Sequence, residues 1–333
     1  MSVYIIAEAG VNHNGDFKTA LRLCDEAKNA GADAVKFQTW KTDKIVTVSA
    51  QLASYQQSNI NNSSVSQYEM LKKLELSYDQ FVDIQLYCHQ IGIDFLSTPD
   101  EEDSLDFLMG LGLPLIKVGS GEVTNIPYLR KIGQYQKPVI LSTGMSDIGQ
   151  VATAYQTLIT AGAITVTLLH CTTNYPCPMG EVNLRAMQTM KDTFKCEVGY
   201  SDHTMGFVIP IAAVALGATV IEKHFTLDVN MEGPDHRASL NPLELKEMVN
   251  GIRNIERALG DGIKRPNQSE CEISKVVLKS IVARRPIQKG ELLTAENLAV
   301  KRVGKGLSSM YWDLIIGTTA LLDYEIDEPV TFM

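Results

Sequence analysis

Eight short apolar or β-branched runs, each bounded by turn residues and separated from the next by a helix-like stretch, fill the chain from Val3 to about residue 222. They are VYIIAE ending at Glu8, ADAVKFQ at Gln38, IDFLST at Thr98, PLIKVGSGE at Glu122, KPVILST at Thr143, ITVTLLH at His170, CEVGYSDH at His203 and ATVIEKH at His224. The stretches between them are amphipathic. In FKTALRLCDEAKNAG, Ala20, Leu21, Cys24 and Ala27 share one face, and Gly31 follows as a stop. Strand and helix alternating about eight times over roughly 250 residues is the plan of a (β/α)8 TIM barrel, an α/β fold; a doubly wound open sheet is the alternative. The 333 residues leave room for a barrel and an appendage.

Polar residues gather where the runs end: Glu8, Lys36 with Gln38, Thr98, Lys117 with Ser120 and Glu122, Ser142, His170, Ser201 with His203, and Glu222 with His224. In a parallel barrel every strand ends on the same face, where active sites lie. Strands leaving the core explain serine and threonine there. They do not explain lysines, carboxylates and histidines inside β-branched runs, because burying charge without a partner is costly. The net charge of −9 excludes a protein held to nucleic acid or an anionic membrane by bulk charge, so anion recognition must rest on locally placed cations. No run approaches the ~20 apolar residues of a membrane span, and MSVYIIAEAG lacks a basic n-region and cleavage site, so a cytoplasmic location is expected. The cysteines (Cys24, Cys88, Cys171, Cys177, Cys196, Cys271) have no CxxC spacing, and reduced thiols are expected.

After Leu259 the texture changes to GDGIKRPNQSE, rich in turn residues and without apolar period. The expected division is a barrel over 1–265, a linker over 266–278 and a compact β-rich unit over 279–333 built from KSIVARR, ENLAVKR and IGTTALLD. So small a unit has a marginal core and is expected to lean on the barrel or on another subunit. Between the second and third strands, roughly Thr42 to Asp94, the polar stretch SAQLASYQQSNINNSSVSQYEM predicts an exposed loop or short helices over the barrel mouth. Gating and a surface excursion without a role are both open.

His203 and His224 end consecutive strands, which places them side by side. Neighbouring imidazoles with carboxylates nearby suit a divalent ion acting as Lewis acid; a hydrogen-bonded core pair is the other reading. Lys36 and Lys117, with Thr98, Ser120, Ser142 and Ser201 as hydroxyl donors, suit a phosphorylated and carboxylated small molecule. Snorkelling strand-end lysines are the alternative, and a desolvated lysine forming a Schiff base with a carbonyl substrate is a third. Asp235, in the loop LDVNMEGPDHRASLNP after the last strand, is placed to accept hydrogen bonds from sugar hydroxyls.

AEAGVNHNG, VKFQT, FLSTPD, KVGSGE, LSTGM, HCTTNYP, GYSDHT, EKHFTLD and GPDH, in this order, resemble the sialic acid synthase family, which condenses phosphoenolpyruvate with an N-acetylated aminosugar. VARRPIQKGE, ENLAVKR and GKGLSSMYW resemble the antifreeze-like SAF domain, a β-clip unit that ends these synthases. The resemblance implies that His203 and His224 hold the metal, Mn2+ or Mg2+. It implies that Lys36, Thr98, Lys117, Ser120, Ser142 and Ser201 bind phosphoenolpyruvate. It further implies that Gln38, Glu122, Tyr175 and Asp235 face the sugar and that Glu8 is an acid near the reacting centre. Arg302, in VKRVGKG, matches an arginine that reaches from the partner's SAF domain to the N-acetyl group in a domain-swapped homodimer. The family's KRPG reads KRVG here. Thr173 stands where some members carry a phosphate-binding asparagine, with Asn174 one position displaced, and both are left unassigned.

The implied reaction makes a nine-carbon 2-keto-3-deoxy sugar acid and releases phosphate. N-acetylmannosamine giving N-acetylneuraminate is the first acceptor expected, and 2,4-diacetamido-2,4,6-trideoxymannose giving legionaminic acid is the second. A metal-independent Schiff-base aldolase and a non-catalytic binding protein are the readings from other classes.

Overall fold

The computed structural model describes residues 2–59 and 66–331. The chain divides into two compact units, Met1–Gly260 and Asp261–Met333. In the first, β1 (Tyr4–Gly10), β2 (Ala34–Thr39), β3 (Asp94–Pro99), β4 (Ile116–Val118), β5 (Val139–Ser142), β6 (Val166–His170), β7 (Val198–Asp202) and β8 (Val220–His224) form one parallel sheet. Its strand order is β3-β2-β1-β8-β7-β6-β5-β4, and β3 lies beside β4 at the seam to close a TIM barrel. The fourth run is shorter than expected. It stops at Val118 because Gly119 turns the chain and Glu122 N–H bonds to Gly119 O, which makes Ser120–Glu122 a single 3-10 turn.

Alternation along the strands separates two cores. Ile5, Ala7, Val35, Phe37, Phe95, Ile116, Val118, Val139, Leu141, Leu168, Val198, Tyr200 and Ile221 face outward under the helices. Ile6, Ala34, Leu96, Ile140, Leu169 and Val220 form a separate plug inside the barrel. Two residues above five of the six plug residues the inward positions turn polar, at Glu8, Lys36, Thr98, Ser142 and Glu222, with Lys117 above Leu115 and Ser201 above Gly199; above Leu169 stands Cys171. The apolar plug thus forms the floor of a polar mouth. His170, expected among the mouth residues, is out of phase with this alternation. It lies on the outer face, where its Nε2 meets Val182 O at 2.7 Å.

Each barrel helix begins and ends for local reasons. Phe17–Ala30 starts where Asp16 accepts from Thr19 N–H and stops where Gly31 takes φ 86°. Tyr78–Ile91 opens on a Ser77/Gln80 capping box and is the barrel's own helix, so the excursion expected up to Asp94 ends at Ser77. That excursion carries the helices Thr42–Ile45, Ser54–Asn59 and Gln67–Leu74; residues 60–65 of its polar stretch lie outside the described residues. Val11, Trp40, Leu52, Met70 and Leu74 give it a small core against the β1 loop.

In the second unit, β9 (Ser280–Ala283) pairs antiparallel with β10 (Leu298–Lys301) around a core that includes Ile281, Ile287, Leu298, Ile315, Tyr324 and Val330. IGTTALLD joins by isolated bridges such as Leu292 to Thr319 rather than by a strand. The segment expected to be a linker contains a helix, Gln268–Val277, which an Asn267/Glu270 capping box starts and which buries none of its side chains. Among the described residues no helix is long and apolar enough to cross a membrane.

Candidate active site

The mouth forms a half-open cavity of about 170 Å³. At roughly 30 Å³ per water it is the size of one small anion, not of a six-carbon sugar and a second substrate together. Eleven of the fourteen site residues named from the sequence line it: Glu8, Lys36, Gln38, Thr98, Lys117, Ser120, Ser142, Tyr175, Ser201, His203 and His224. Three do not. Glu122 is half-buried on the turn after β4 and accepts from Asn125 Nδ2 at 2.6 Å. Asp235 is buried beside the cavity with Oδ2 3.7 Å from His224 Nδ1. Arg302 is exposed on the second unit, just after β10.

The floor of the cavity is a buried charge cluster. Lys36 Nζ is 2.7 Å from Glu8 Oε2, 3.6 Å from Glu222 Oε2 and 2.9 Å from Thr98 Oγ1. Lys117 Nζ is 3.5 Å from Glu222 Oε1 and donates to Ser142 Oγ at 2.8 Å. Ser201 Oγ donates to Glu222 Oε1 at 2.8 Å. Burial opposes every one of these charges, and the balance differs by position. Against burial, Lys117, Lys36 and the Ser201 hydroxyl hold Glu222 down at about 2. Burial, opposed by Lys36 but reinforced by the charge on Glu222, pushes Glu8 up to about 8. Lys36 is raised, because Glu222 and Glu8 outweigh its own burial, whereas burial leaves Lys117 lowered. The two carboxyls are therefore pulled apart: Glu222 toward its charged form and Glu8 toward its protonated form.

Above the lysines, Ser120 Oγ accepts from Gly144 N–H at 3.0 Å and is 3.2 Å from Cys171 Sγ. A Cβ on Gly144 would stand 2.1 Å from Thr173 Oγ1, so only glycine lets the Thr173 hydroxyl approach. That hydroxyl is buried without a hydrogen-bond partner and lines the cavity. Asp100, which follows Thr98 at inward spacing, also lines it; burial, against Lys36, pushes its carboxyl up to about 7. Sequence reasoning gave neither residue a role, although the period-two alternation points both at the cavity.

His203 and His224 stand with ring centroids 5.4 Å apart, and the Tyr175 ring lies 4.1 Å from the first and 5.5 Å from the second. Burial lowers both imidazoles, so they are neutral at pH 7. His203 Nδ1 meets Thr172 O at 2.7 Å, which requires a proton on Nδ1 and leaves Nε2 as a free lone pair; His224 Nδ1 has no hydrogen-bond partner. Two neutral imidazoles with uncommitted nitrogens fit a divalent ion. Among the described residues no third His, Cys, Asp or Glu completes a ligand group, so such an ion would leave its other positions to water and substrate.

A TIM barrel that gathers paired lysines, opposed carboxyls and neutral histidines at its strand ends carries them on the face where enzymes of this fold hold their active sites. The chain belongs to the NeuB family, the sialic acid synthases: the NeuB family model matches residues 23–264 and the SAF domain model matches residues 279–332. The N,N'-diacetyllegionaminic acid synthase of Campylobacter jejuni is 50% identical, with 97% of each chain aligned. The N,N'-diacetyllegionaminic acid synthase of Legionella pneumophila is 46% identical over 96% of this chain and 90% of its own. The crystal structure of N-acetylneuraminic acid synthetase from Leptospira borgpetersenii, in complex with citrate, superposes with a TM-score of 0.72 at 32% identity, covering 83% of this chain and 93% of that one.

Proposed function

We propose that this synthase condenses phosphoenolpyruvate with 2,4-diacetamido-2,4,6-trideoxymannose and water to give N,N'-diacetyllegionaminate and phosphate. The observation that carries the reaction class is the pair of lysines beneath two neutral histidines in one anion-sized cavity. Identity of 46% to 50% with two legionaminic acid synthases supports this acceptor over N-acetylmannosamine, the one placed first on sequence alone. N-acetylmannosamine is the second reading, favoured by the likeness to the Leptospira synthetase.

Lys36 and Lys117 bind the phosphate and carboxylate of phosphoenolpyruvate, and Thr98, Ser120, Ser142 and Ser201 orient them. Gln38, Glu122, Tyr175 and Asp235 take the sugar above. C3 of phosphoenolpyruvate attacks the acceptor's aldehyde carbon, and protonated Glu8 gives its proton to the alkoxide that forms. Water then adds to the cationic C2 and returns a proton to Glu8. The adduct's C2–O bond to phosphate breaks, and the second water proton leaves with phosphate. His203 and His224 would hold a divalent ion, Mn2+ or Mg2+, which would supply Lewis-acid polarisation of the acceptor's carbonyl. Arg302 reaches the acceptor's N-acetyl group from a second copy in a swapped homodimer.

Phosphate release from phosphoenolpyruvate, measured across a panel of N-acetyl aminosugars with and without Mn2+, tests this reading. Turnover is expected to be fastest with the diacetamido sugar and to vanish after exhaustive chelation. Preference for N-acetylmannosamine overturns the acceptor assignment, and full turnover without metal overturns the ion. Borohydride trapping at Lys36 or Lys117 would instead establish the Schiff-base aldolase.

A further inference from the structure

Asp235 is the one acid on residues 232–239 that stands at the mouth, and three other segments grip that loop. Asn14, in the β1 loop, donates from Nδ2 to Glu232 O at 3.0 Å, so its Oδ1 faces His236 Nε2 at 3.2 Å. His236 must then carry its proton on Nε2, and its Nδ1 accepts from the Thr226 hydroxyl at 2.7 Å. Asn12 Nδ2 donates to Phe225 O at 2.8 Å and to Ser239 Oγ at 2.9 Å, and Ser239 Oγ donates to Asp235 O at 2.7 Å. From the excursion, Asn59 Nδ2 donates to Pro234 O at 2.7 Å in a buried contact. Packing is equally close: a Cβ on Gly233 would stand 2.6 Å from the His236 ring and 2.9 Å from Asn14 Oδ1.

The loop's backbone and His236 are thus tied to neighbours, while the buried Asp235 carboxylate faces His224, with Oδ2 3.7 Å from Nδ1. A scaffold this constrained around one buried carboxylate is what a binding group requires, since a displacement of about 1 Å at such a group is costly.

We propose that His236 and Asn59 are positioning residues for the acceptor sugar: with Asn14 they lock residues 232–239 against the β1 loop and the excursion, fixing Asp235 where the acceptor enters. The Ser54–Asn59 helix of the excursion is then part of the acceptor side of the site. This rests on the reading that Asp235 faces the acceptor.

The test measures KM for phosphoenolpyruvate and for the acceptor separately in the holoenzyme, with hydrogen exchange followed on the same variants. His236→Ala is expected to raise the acceptor KM about tenfold with the phosphoenolpyruvate KM unchanged, and Asn59→Ala to raise it about threefold. His236→Gln is expected to recover most of the loss, because its amide N–H reproduces the bond to Asn14 Oδ1. Exchange of residues 232–239 is expected to rise about tenfold in His236→Ala while the strands stay protected. Unchanged exchange there overturns the inference even if no acceptor turns over. An equal rise in both KM values, or no recovery with glutamine, overturns it too. Asp235→Asn separates the two readings. If it leaves the acceptor KM unchanged, the placement of the sugar at Asp235 fails; if it raises that KM and His236→Ala does not, positioning alone fails.

Discussion

Residues 222 to 224 read Glu, Lys, His, and the barrel sends the first and third into the mouth and the second out beneath the helices. Two buried lysine–carboxylate groups therefore stand back to back across one sheet. On the outer side Lys223 Nζ is 2.6 Å from Asp202 Oδ2 and also donates to Thr204 O. Asp202 in turn accepts from Thr204 N–H at 3.1 Å and Thr204 Oγ1 at 3.0 Å, and both charged side chains are fully buried. On the inner side Lys36, Lys117, Glu8 and Glu222 share contacts of 2.7 to 3.6 Å, border a cavity, and leave Glu222 Oε2 without a hydrogen bond. A saturated pair is cross-bracing. An open cluster that can exchange partners and protons with a ligand is a site.

The largest expected effect separates the two. Lys36→Met is expected to lower kcat/KM about a thousandfold, because it removes a buried cation that borders the cavity. Its stability loss is expected to stay within about 1 kcal/mol, since burial already pushes Glu8 toward its protonated form and Lys117 still faces Glu222. Phosphate-release kinetics and denaturant melts on one preparation check both halves. A variant that unfolds while its folded fraction remains active would reverse the assignment.

Lys223→Met is the mirror experiment. Asp202 is fully buried and would be left an acid without its cation, so a loss of about 3–5 kcal/mol is expected. The kcat/KM of the molecules that remain folded should change little. Urea unfolding measures the first, and kinetics corrected for the folded fraction measures the second.

Much of this contrast is legible in the sequence, because period-two alternation is strict in a barrel. Glu8, Lys36, Thr98, Lys117, Ser142, Ser201 and Glu222 all sit two residues beyond an inward position, and their residue types already pointed at anion chemistry. Collecting polar strand ends without their parity took in His170, which faces out, and passed over Asp100 and Thr173, which face in. The network of Asn12, Asn14, Asn59 and His236 was not legible. Its hydrogen bonds join residues up to 227 positions apart, from segments whose meeting no local pattern encodes. The helix Gln268–Val277 was missed for a different reason: it buries no apolar face, and only its capping box announces it.

A buried imidazole outside the cavity offers a third contrast, in protonation. His13 is fully buried near the outward-facing Phe37, and burial holds it at about 4 against an ordinary value near 6.5. The unfolded chain then binds a proton between pH 6.5 and 4 that the folded chain refuses. Stability from neutral His13 is complete above pH 6.5 and is lost as pH falls toward 4. Wild type is expected to lose stability relative to His13→Gln by up to about 1.4 kcal/mol per pH unit in that window. Thermal unfolding of both proteins from pH 4 to 7 gives the difference curve, and a flat curve would mean that burial does not hold His13 neutral.

The smallest effect asks what the outer pair is for. Replacing Lys223 and Asp202 together by Met and Leu removes both charges and both desolvation costs, and such exchanges are commonly neutral or stabilising. Here they should fall short of neutral, because the pair also serves Thr204: its N–H and hydroxyl donate to Asp202, and its carbonyl accepts from Lys223. The double variant is therefore expected to recover most of the loss caused by Lys223→Met and to remain about 1–2 kcal/mol below wild type, the residual cost of Thr204 groups left without partners. A double-mutant cycle in urea measures it. Full recovery would mean that the ion pair braces nothing beyond itself. No recovery would mean that Lys223 stabilises through packing of its stem, and the contrast with the mouth would then rest on shape rather than on charge.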